Sequence, residues 1–211
     1  MDKKVLIFVD GPNWNHQQEE MEISCKFDKL REVLSGDREL LGVRYYTTPA
    51  PTPAAKGFQE YLRKLGYLVI TCEQGQDVDD LLAKDLKELK GLGYADEPDT
   101  IVIVSGDNRF AEILGPIVEK GKTAEVVSLS TTLSADYAGI ADHVDPLDFK
   151  DKITDLAKTM KRQKQAAVIA ADKMPGAEFI GTLMALGNKV TIEARASELI
   201  IRITLPPNHK E

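Results

Sequence analysis

The sequence lacks the features that mark membrane and secreted proteins. No run of apolar residues approaches the roughly 18 to 20 that a membrane span needs, so we expect no membrane association. The chain enters an apolar run within its first residues, without the cleavage site of a signal peptide. Its two cysteines, Cys25 and Cys72, have no metal-ligand spacing. These absences predict a cytoplasmic protein with reduced thiols.

Histidine and an excess of positive charge are also missing. The three histidines, His16, His143 and His209, are scattered and form no zinc pattern. The formal net charge is −7, whereas a generic nucleic-acid-binding surface is usually basic. The negative net charge therefore argues against a generic nucleic-acid-binding surface. It leaves open an enzyme whose acidic site is neutralised by cations.

Two short apolar runs each end in an aspartate at a glycine-containing turn. Residues 5–9 lead into Asp10-Gly, and residues 101–104 lead into Ser105-Gly-Asp107. Unbroken runs of Val and Ile are typical of strands buried on both faces of a parallel sheet. Ligands of such sheets bind beyond the carboxyl ends of the strands, where the strand order reverses. We therefore expect Asp10 and Asp107 to lie side by side.

Strand and helix patterns alternate as far as residue 149. This alternation predicts a parallel, doubly wound α/β sheet over residues 1–149. The residue pattern changes over residues 150–211. There we expect a helix at 151–173, a short helix at 179–186 and a β-hairpin formed by 190–194 and 199–205. Because an isolated hairpin is marginally stable, this extension should pack on the main domain, on its own helix or on another subunit, as in a homodimer.

The helix predicted at residues 78–90 carries three informative aspartates. Asp85 falls in the middle of its apolar face, where a carboxylate is costly unless it is paired, bonded or bound to a cation. Asp79 lies at the edge of that face in the first turn, and Asp80 points to solvent. Asp79 is either a ligand at the carboxyl edge of the sheet or a partner of the helix dipole.

Simpler interpretations exist for the strand-end aspartates. Asp10 would be an ordinary turn residue, and Asp107 or Asn108 would cap the helix that contains Phe110. The match between the two strand ends favours a shared site instead. Carboxylates with water are the ligands that Mg²⁺ and Mn²⁺ prefer, and such a site supports hydrolysis of a phosphodiester.

These residues carry a resemblance to a known family. The motifs occur in the family's order: Val9-Asp10-Gly-Pro-Asn13, Asp77-Val-Asp79 followed by Asp85, Ser105-Gly-Asp107-x-x-Phe110, and Ala141-Asp142. Together they resemble the NYN domain of the PIN-like ribonuclease superfamily, and the LabA/DUF88 group in particular, over residues 4–149.

The resemblance implies a PIN-like, three-layer α/β/α fold with a mostly parallel sheet. It also implies a Mg²⁺ or Mn²⁺ site and cleavage of single-stranded RNA. Asp10, Asp79 and Asp107 would be the catalytic residues, as metal ligands or positioners of water. Asn13 would support the site and the substrate, and Ser105 would shape the turn.

Arg109 departs from the family pattern, which usually has a second acidic residue at that position. A positive charge there should weaken cation binding. Arg109 would then bind a substrate phosphate, or mark a catalytically weakened module that binds RNA or a protein partner. A small-phosphoester hydrolase or a flavodoxin-like nucleotide-binding protein is disfavoured, because the chain lacks a haloacid-type nucleophile motif and a Gly-rich phosphate loop. The basic run at 158–164 is a solvated helix face or a contact for an RNA backbone.

Overall fold

The protein is built around a six-stranded sheet in which every strand is parallel to its neighbours. The computed structural model describes residues 3–73, 75–173, 179–185, 188–195 and 198–204, with side chains over 3–73 and 75–165. The strand order is β3-β2-β1-β4-β5-β6. The strands are β1 (Lys4–Asp10), β2 (Glu39–Thr47), β3 (Tyr67–Thr71), β4 (Thr100–Val104), β5 (Thr123–Val127) and β6 (Asp142–Val144). The predicted α/β fold is therefore confirmed.

Helices cover both faces of this sheet and make three layers. Residues of β1 alternate between two cores: Val5 and Ile7 pack on one face, Leu6 and Phe8 on the other. The first core includes side chains of α1 (Gly11–Glu20), α2 (Phe27–Ser35), α3 (Pro53–Lys64) and α6 (Lys150–Ile153), and the second includes those of α4 (Val78–Lys87) and α5 (Ala111–Glu119). This two-sided burial explains why β1 has no polar alternation.

The strand order reverses between β1 and β4. From β1 the chain moves outward to β2 and β3 and then returns to place β4 beside β1. The crevice beyond the carboxyl ends of β1 and β4 is thus the switch point where α/β sheets bind ligands. Asp10 is the last residue of β1, and Ser105 follows the last residue of β4.

Helix α1 was not predicted, because its sequence has no apolar stripe. It begins directly after β1, and Asp10 is its N-cap. The residue types of 10–13 also favour Asn13 as a local cap or turn former, but Asn13 lies inside α1 and donates its backbone N–H to Asp10. The first residue of the helix is a glycine, Gly11. A Cβ at that position would lie 2.5 Å from the carbonyl oxygen of Tyr46, so a larger residue would force the backbone to move.

Three other elements differ from their predictions. Helix α4 ends at Lys87 and is followed by a 3₁₀ turn at Leu89–Leu92. The residue pattern also predicts a short helix at 133–141, and the structure has only a 3₁₀ turn there, Ala135–Tyr137. The helix expected at 179–186 is a strand, described for Phe179–Ala185. A short apolar run fits either element by its periodicity, and the β-branched Ile180 and Thr182 are compatible with the strand.

The chain divides into two compact units, Met1–Thr154 and Asp155–Glu211. The second unit contains α7 (Leu156–Lys173) and an antiparallel sheet in the order β7-β8-β9, formed by Phe179–Ala185, Asn188–Arg195 and Glu198–Thr204. The predicted hairpin corresponds to β8 and β9, and β7 adds a third strand that the hairpin alone would lack. Residues 186 and 205, the last of a predicted helix and a predicted strand, lie outside the described residues. In the part of the chain that the structure describes, no helix is both long and apolar enough to span a bilayer.

Candidate functional site

Asp10 is the buried centre of the site, with 2% of its surface exposed. Its Oδ1 accepts a hydrogen bond of 3.2 Å from the backbone N–H of Asn13. Its Oδ2 accepts one of 2.9 Å from the hydroxyl of Ser105. The first bond caps α1, and the second joins the carboxyl ends of β1 and β4. Asp10 is thus both a turn residue and a member of the site.

The turn after β4 is organised by the side chains that it contains. Ser105 Oγ also accepts a bond of 3.3 Å from the backbone N–H of Asp107. Asp107 Oδ1 accepts a bond of 2.9 Å from the N–H of Arg109, so Asp107 caps the 3₁₀ turn Asn108–Phe110. Tyr137, which the sequence did not single out, donates its hydroxyl to the carbonyl oxygen of Asp107 at 2.5 Å. The interpretation of Asp107 as a capping residue is confirmed for this 3₁₀ turn. The cap uses Asp107 Oδ1.

The start of α4 supplies three more carboxylates, and Arg109 lies among them. Its Nη1 is 3.4 Å from Asp77 Oδ2, 3.6 Å from Asp79 Oδ2 and 3.3 Å from Asp80 Oδ1. Asp77, the N-cap of α4, was predicted only as part of a motif. The Asp80 side chain is 72% exposed, as expected, yet it also pairs with Arg109. Arg109 therefore links the β4 turn to α4 electrostatically.

The site carries more negative charge than its own cation balances. Burial raises the pKa of Asp10 to about 6; the bonds from Asn13 and Ser105 oppose this shift, and the charges of Asp79 and Asp107 add to it. Burial, and then the charge of Asp77, raises the pKa of Asp79, whereas Arg109 lowers it. Within the described side chains, neither Asp10 nor Asp107 has an ion pair with a Lys, Arg or His.

This charge distribution bears on the predicted metal ion. Over residues 3–73 and 75–165, no three His, Cys, Asp or Glu side chains form a group that could hold a metal. The donor chemistry nevertheless fits a hard divalent cation, since Asp10 is a buried carboxylate whose pKa is raised mainly by burial, and the charges of the Asp79 and Asp107 carboxylates add to that rise. Arg109 pairs with Asp79 and would compete with such a cation for it.

Asn13 is held beside Asp10 through its side-chain oxygen. Asn13 Oδ1 accepts bonds from the backbone N–H of Gly106 at 3.3 Å and from Gln17 Nε2 at 2.6 Å. Gln17 in turn accepts the backbone N–H of Leu129 at 3.0 Å. Gln17 was missed, because a glutamine in a polar helix gives no pattern that marks it as buried.

Asp85 and Asp142 lie apart from these residues. Asp85 Oδ2 is 2.6 Å from Arg44 Nη2 and 2.7 Å from the hydroxyl of Tyr46. The expectation that Asp85 is paired or bonded is confirmed, and its partners are structural. Asp142 begins β6 and so lies at the amino end of that strand, whereas the site lies at the carboxyl ends.

An open groove of about 830 Å³ adjoins the acidic cluster. Asp77, Asp80 and Lys87 of the α4 segment line it on one side, and Arg109 and Glu112 line it on the other. A chain with charged groups could lie in this groove while touching Arg109.

Comparisons with known proteins concern the family and the fold. The sequence model of the NYN domain matches residues 4–145. A crystal structure of a protein of unknown function from Vibrio parahaemolyticus RIMD 2210633 is similar, with a TM-score of 0.56 and 21% sequence identity, over 68% of this chain and 93% of that one. At this identity the likeness concerns the fold alone. A search of curated proteins found no match.

Proposed function

Because this chain belongs to the NYN domain family, a family of PIN-like nucleases, we propose that it is a ribonuclease that hydrolyses phosphodiester bonds of single-stranded RNA with Mg²⁺ or Mn²⁺. The observation that carries the proposal is Asp10: a buried carboxylate without a cationic partner among the described side chains. It lies where the strand order reverses, bonded to Ser105 of the neighbouring strand end. A bound cation would balance this charge.

Each site residue then has a role. Asp10, Asp79 and Asp107 would hold the metal ion, which when bound orients water and stabilises the charge that develops on the phosphate. Ser105 holds the Asp10 carboxylate in place and supports the Asp107 turn. The guanidinium of Arg109, whose side chain is 39% exposed, is accessible to a phosphate of the substrate. Asn13 supplies amide donors beside Asp10.

Arg109 also favours a second candidate function. It places a permanent positive charge within 3.6 Å of Asp79, one of the carboxylates that the ion would need. A site compensated in this way would bind RNA or a protein partner without cutting it. The two candidates differ in whether the acidic cluster takes up a divalent cation.

Cleavage of a labelled single-stranded RNA in the presence of Mg²⁺ or Mn²⁺ tests the first candidate. We expect Asp10→Asn and Asp107→Asn to lower the rate by at least about 100-fold, because each removes a charged ligand. The matched control is Asp37→Asn, an exposed aspartate just before the amino end of β2. Cleavage that persists unchanged in both site variants would reject the proposal.

Arg109→Asp separates the two candidates. If the wild type binds RNA without cutting it, restoring an acidic residue at 109 should produce metal-dependent cleavage, as the binding-module candidate predicts. If the wild type cuts RNA and Arg109→Asp loses that activity, Arg109 is part of the catalytic site. The cytoplasmic location and a homodimer stay predictions.

A further inference from the structure

Gln17 is a buried side chain with a hydrogen bond at each end of its amide. It is 1% exposed and lies one helical turn after Asn13 on α1, a spacing that brings the two side chains together. Its Nε2 donates to Asn13 Oδ1 at 2.6 Å, and its Oε1 accepts from the backbone N–H of Leu129 at 3.0 Å. A buried amide with both ends bonded has one defined orientation.

The orientation of Gln17 determines that of Asn13. A backbone N–H can only donate, so the atom that faces Leu129 must be the oxygen of Gln17. The Gln17 nitrogen then faces Asn13 and requires an oxygen there. The backbone N–H of Gly106 points to the same Asn13 oxygen at 3.3 Å. A reversed Asn13 amide would set its NH₂ group against two donors.

The consequence is a pair of free donors next to Asp10. Among the described residues, Asn13 Nδ2 has no hydrogen-bond partner, although the Asn13 backbone bonds Asp10 Oδ1. We propose that Gln17 is a positioning residue, which holds the Asn13 amide so that its two N–H groups are available to a phosphate oxygen of bound RNA. This inference rests on the proposed function.

Gln17 also ties the site to a third strand end. Asn13 follows β1, Gly106 follows β4, and Leu129 follows β5, so the two amides connect the segments after three strands. A loss of Gln17 would free the Asn13 amide while leaving the Ser105–Asp10 bond in place. That separation makes its effect distinguishable from a general collapse of the site.

Gln18 offers a matched control on the same helix. It is 8% exposed, accepts the backbone N–H of Cys25 at 2.9 Å, and donates to Asn15 Oδ1 at 3.2 Å. It thus repeats the chemistry of Gln17, one amide and one backbone group, without touching Asn13. Gln17→Met and Gln18→Met each remove two comparable hydrogen bonds from a buried position.

The test combines nuclear magnetic resonance of the Asn13 side-chain amide with affinity for a single-stranded RNA. In Gln17→Met we expect a changed Asn13 Nδ2 resonance, faster exchange of its protons and an RNA affinity about tenfold lower, the scale of a lost charge-assisted hydrogen bond. Gln18→Met should leave all three unchanged. In an Asn13→Ala background, adding Gln17→Met should cost less than about twofold in affinity, since Gln17 acts through Asn13.

Several results would overturn the inference: an unaltered Asn13 resonance in Gln17→Met, an equal loss of affinity in Gln18→Met, or a full additional loss in the Asn13→Ala background. If Gln17→Met does not fold, Gln17→Glu at pH 8 keeps the acceptor for Leu129 and sets a carboxylate oxygen against Asn13 Oδ1 in place of the donor. The Asn13 amide should then reverse, and the same changes in its resonance and in RNA affinity are expected. A wild type that binds RNA but does not cut it would reject the ribonuclease proposal alone. Cleavage without any effect of Gln17 would reject this inference alone.

Discussion

Arg109 and Asp79 form an ion pair, with 3.6 Å between Nη1 and Oδ2. The carboxylate predicted to bind a metal therefore already has a cationic partner. Exposed ion pairs contribute little to stability, and the Arg109 side chain is 39% exposed. A divalent cation that bound Asp79 would have to displace this pair, so Arg109 would lower its affinity.

Removing the charge of Arg109 should strengthen metal binding. For Arg109→Gln we expect the affinity for Mn²⁺ to rise at least about tenfold, because two unit charges about 4 Å apart repel by about 1 kcal/mol in bulk water and by about 4 kcal/mol near a protein surface. Titration calorimetry or paramagnetic resonance of Mn²⁺ measures it. Lys87→Gln, which removes a cation from the same groove, should change the affinity less. Equal affinities for wild type and Arg109→Gln would contradict the competition.

Asp10→Asn should stabilise the metal-free protein at high pH. Burial, opposed by the Asn13 and Ser105 bonds, raises the folded-state pKa of Asp10 from 3.8 to about 6. Below about pH 4 both states hold the proton; between pH 4 and 6 the unfolded chain loses it first, so folding stability falls as pH rises, and above pH 6 the loss is complete. A shift of this size is worth about 3 kcal/mol.

We therefore expect Asp10→Asn to gain about 1 to 3 kcal/mol at pH 8 and almost nothing at pH 4. Urea unfolding after treatment with a chelator measures the gain at each pH. Asp37→Asn, at an exposed position away from the site, should show no such gain. A loss of stability in Asp10→Asn at pH 8 would contradict this prediction. It would show that the charge of the buried Asp10 carboxylate is balanced by its surroundings.

The strand ends were predictable because their signals are local. A strand buried on both faces must be apolar throughout, so β1 and β4 could be recognised from their own residues, and their parallel pairing followed from the alternation with helices. Asp10 and Asp107 were placed correctly beside the switch point for this reason. Asp85 was expected to be paired, bonded or bound to a cation because a carboxylate on an apolar helix face is otherwise costly, and the structure pairs it with Arg44.

The rest of the site depends on distances between distant segments. Arg109 meets the acids of α4 across about 30 residues of chain, 32 for Asp77 and 29 for Asp80. Helix α1 has no apolar stripe, since Gln17 and Gln18 are buried through hydrogen bonds instead. A hydrophobic periodicity cannot reveal residues that are buried through hydrogen bonds. Strand β7 was missed because a short apolar run fits a helix and a strand equally well.

Breaking the Arg44–Asp85 pair should be costly. Both side chains are largely buried, at 9% and 15% exposed, and Arg44 Nε also donates to the Tyr46 hydroxyl at 2.9 Å. Arg44→Met leaves the Asp85 charge without its cation, and we expect a loss of about 3 to 5 kcal/mol. Urea unfolding measures it.

The double variant Arg44→Met/Asp85→Leu should recover much of that loss, because it removes both charges. Lys29→Met is the comparison on the surface: its pair with Glu32 is half exposed on both sides, so the change should be below about 1 kcal/mol. An Arg44→Met loss no larger than that of Lys29→Met would show that water reaches Asp85.

Gly106 is required by its surroundings, and replacing it should damage the site. A Cβ at Gly106 would lie 2.5 Å from both Ser128 Oγ and the Thr132 carbonyl oxygen, and the latter is backbone that must move. For Gly106→Ala we expect a loss of about 1 to 3 kcal/mol from overpacking, together with weaker RNA binding, because the Gly106 N–H would shift from Asn13 Oδ1. Gly57→Ala is the matched control: it lies inside α3 with nothing within 4 Å of its Cβ position, so it should gain about 0.5 to 1 kcal/mol and leave RNA binding unchanged. Urea unfolding and RNA titration of the two variants measure these effects. A Gly106→Ala protein with unaltered stability and RNA affinity would contradict the prediction and show that the loop at 128–132 moves at little cost.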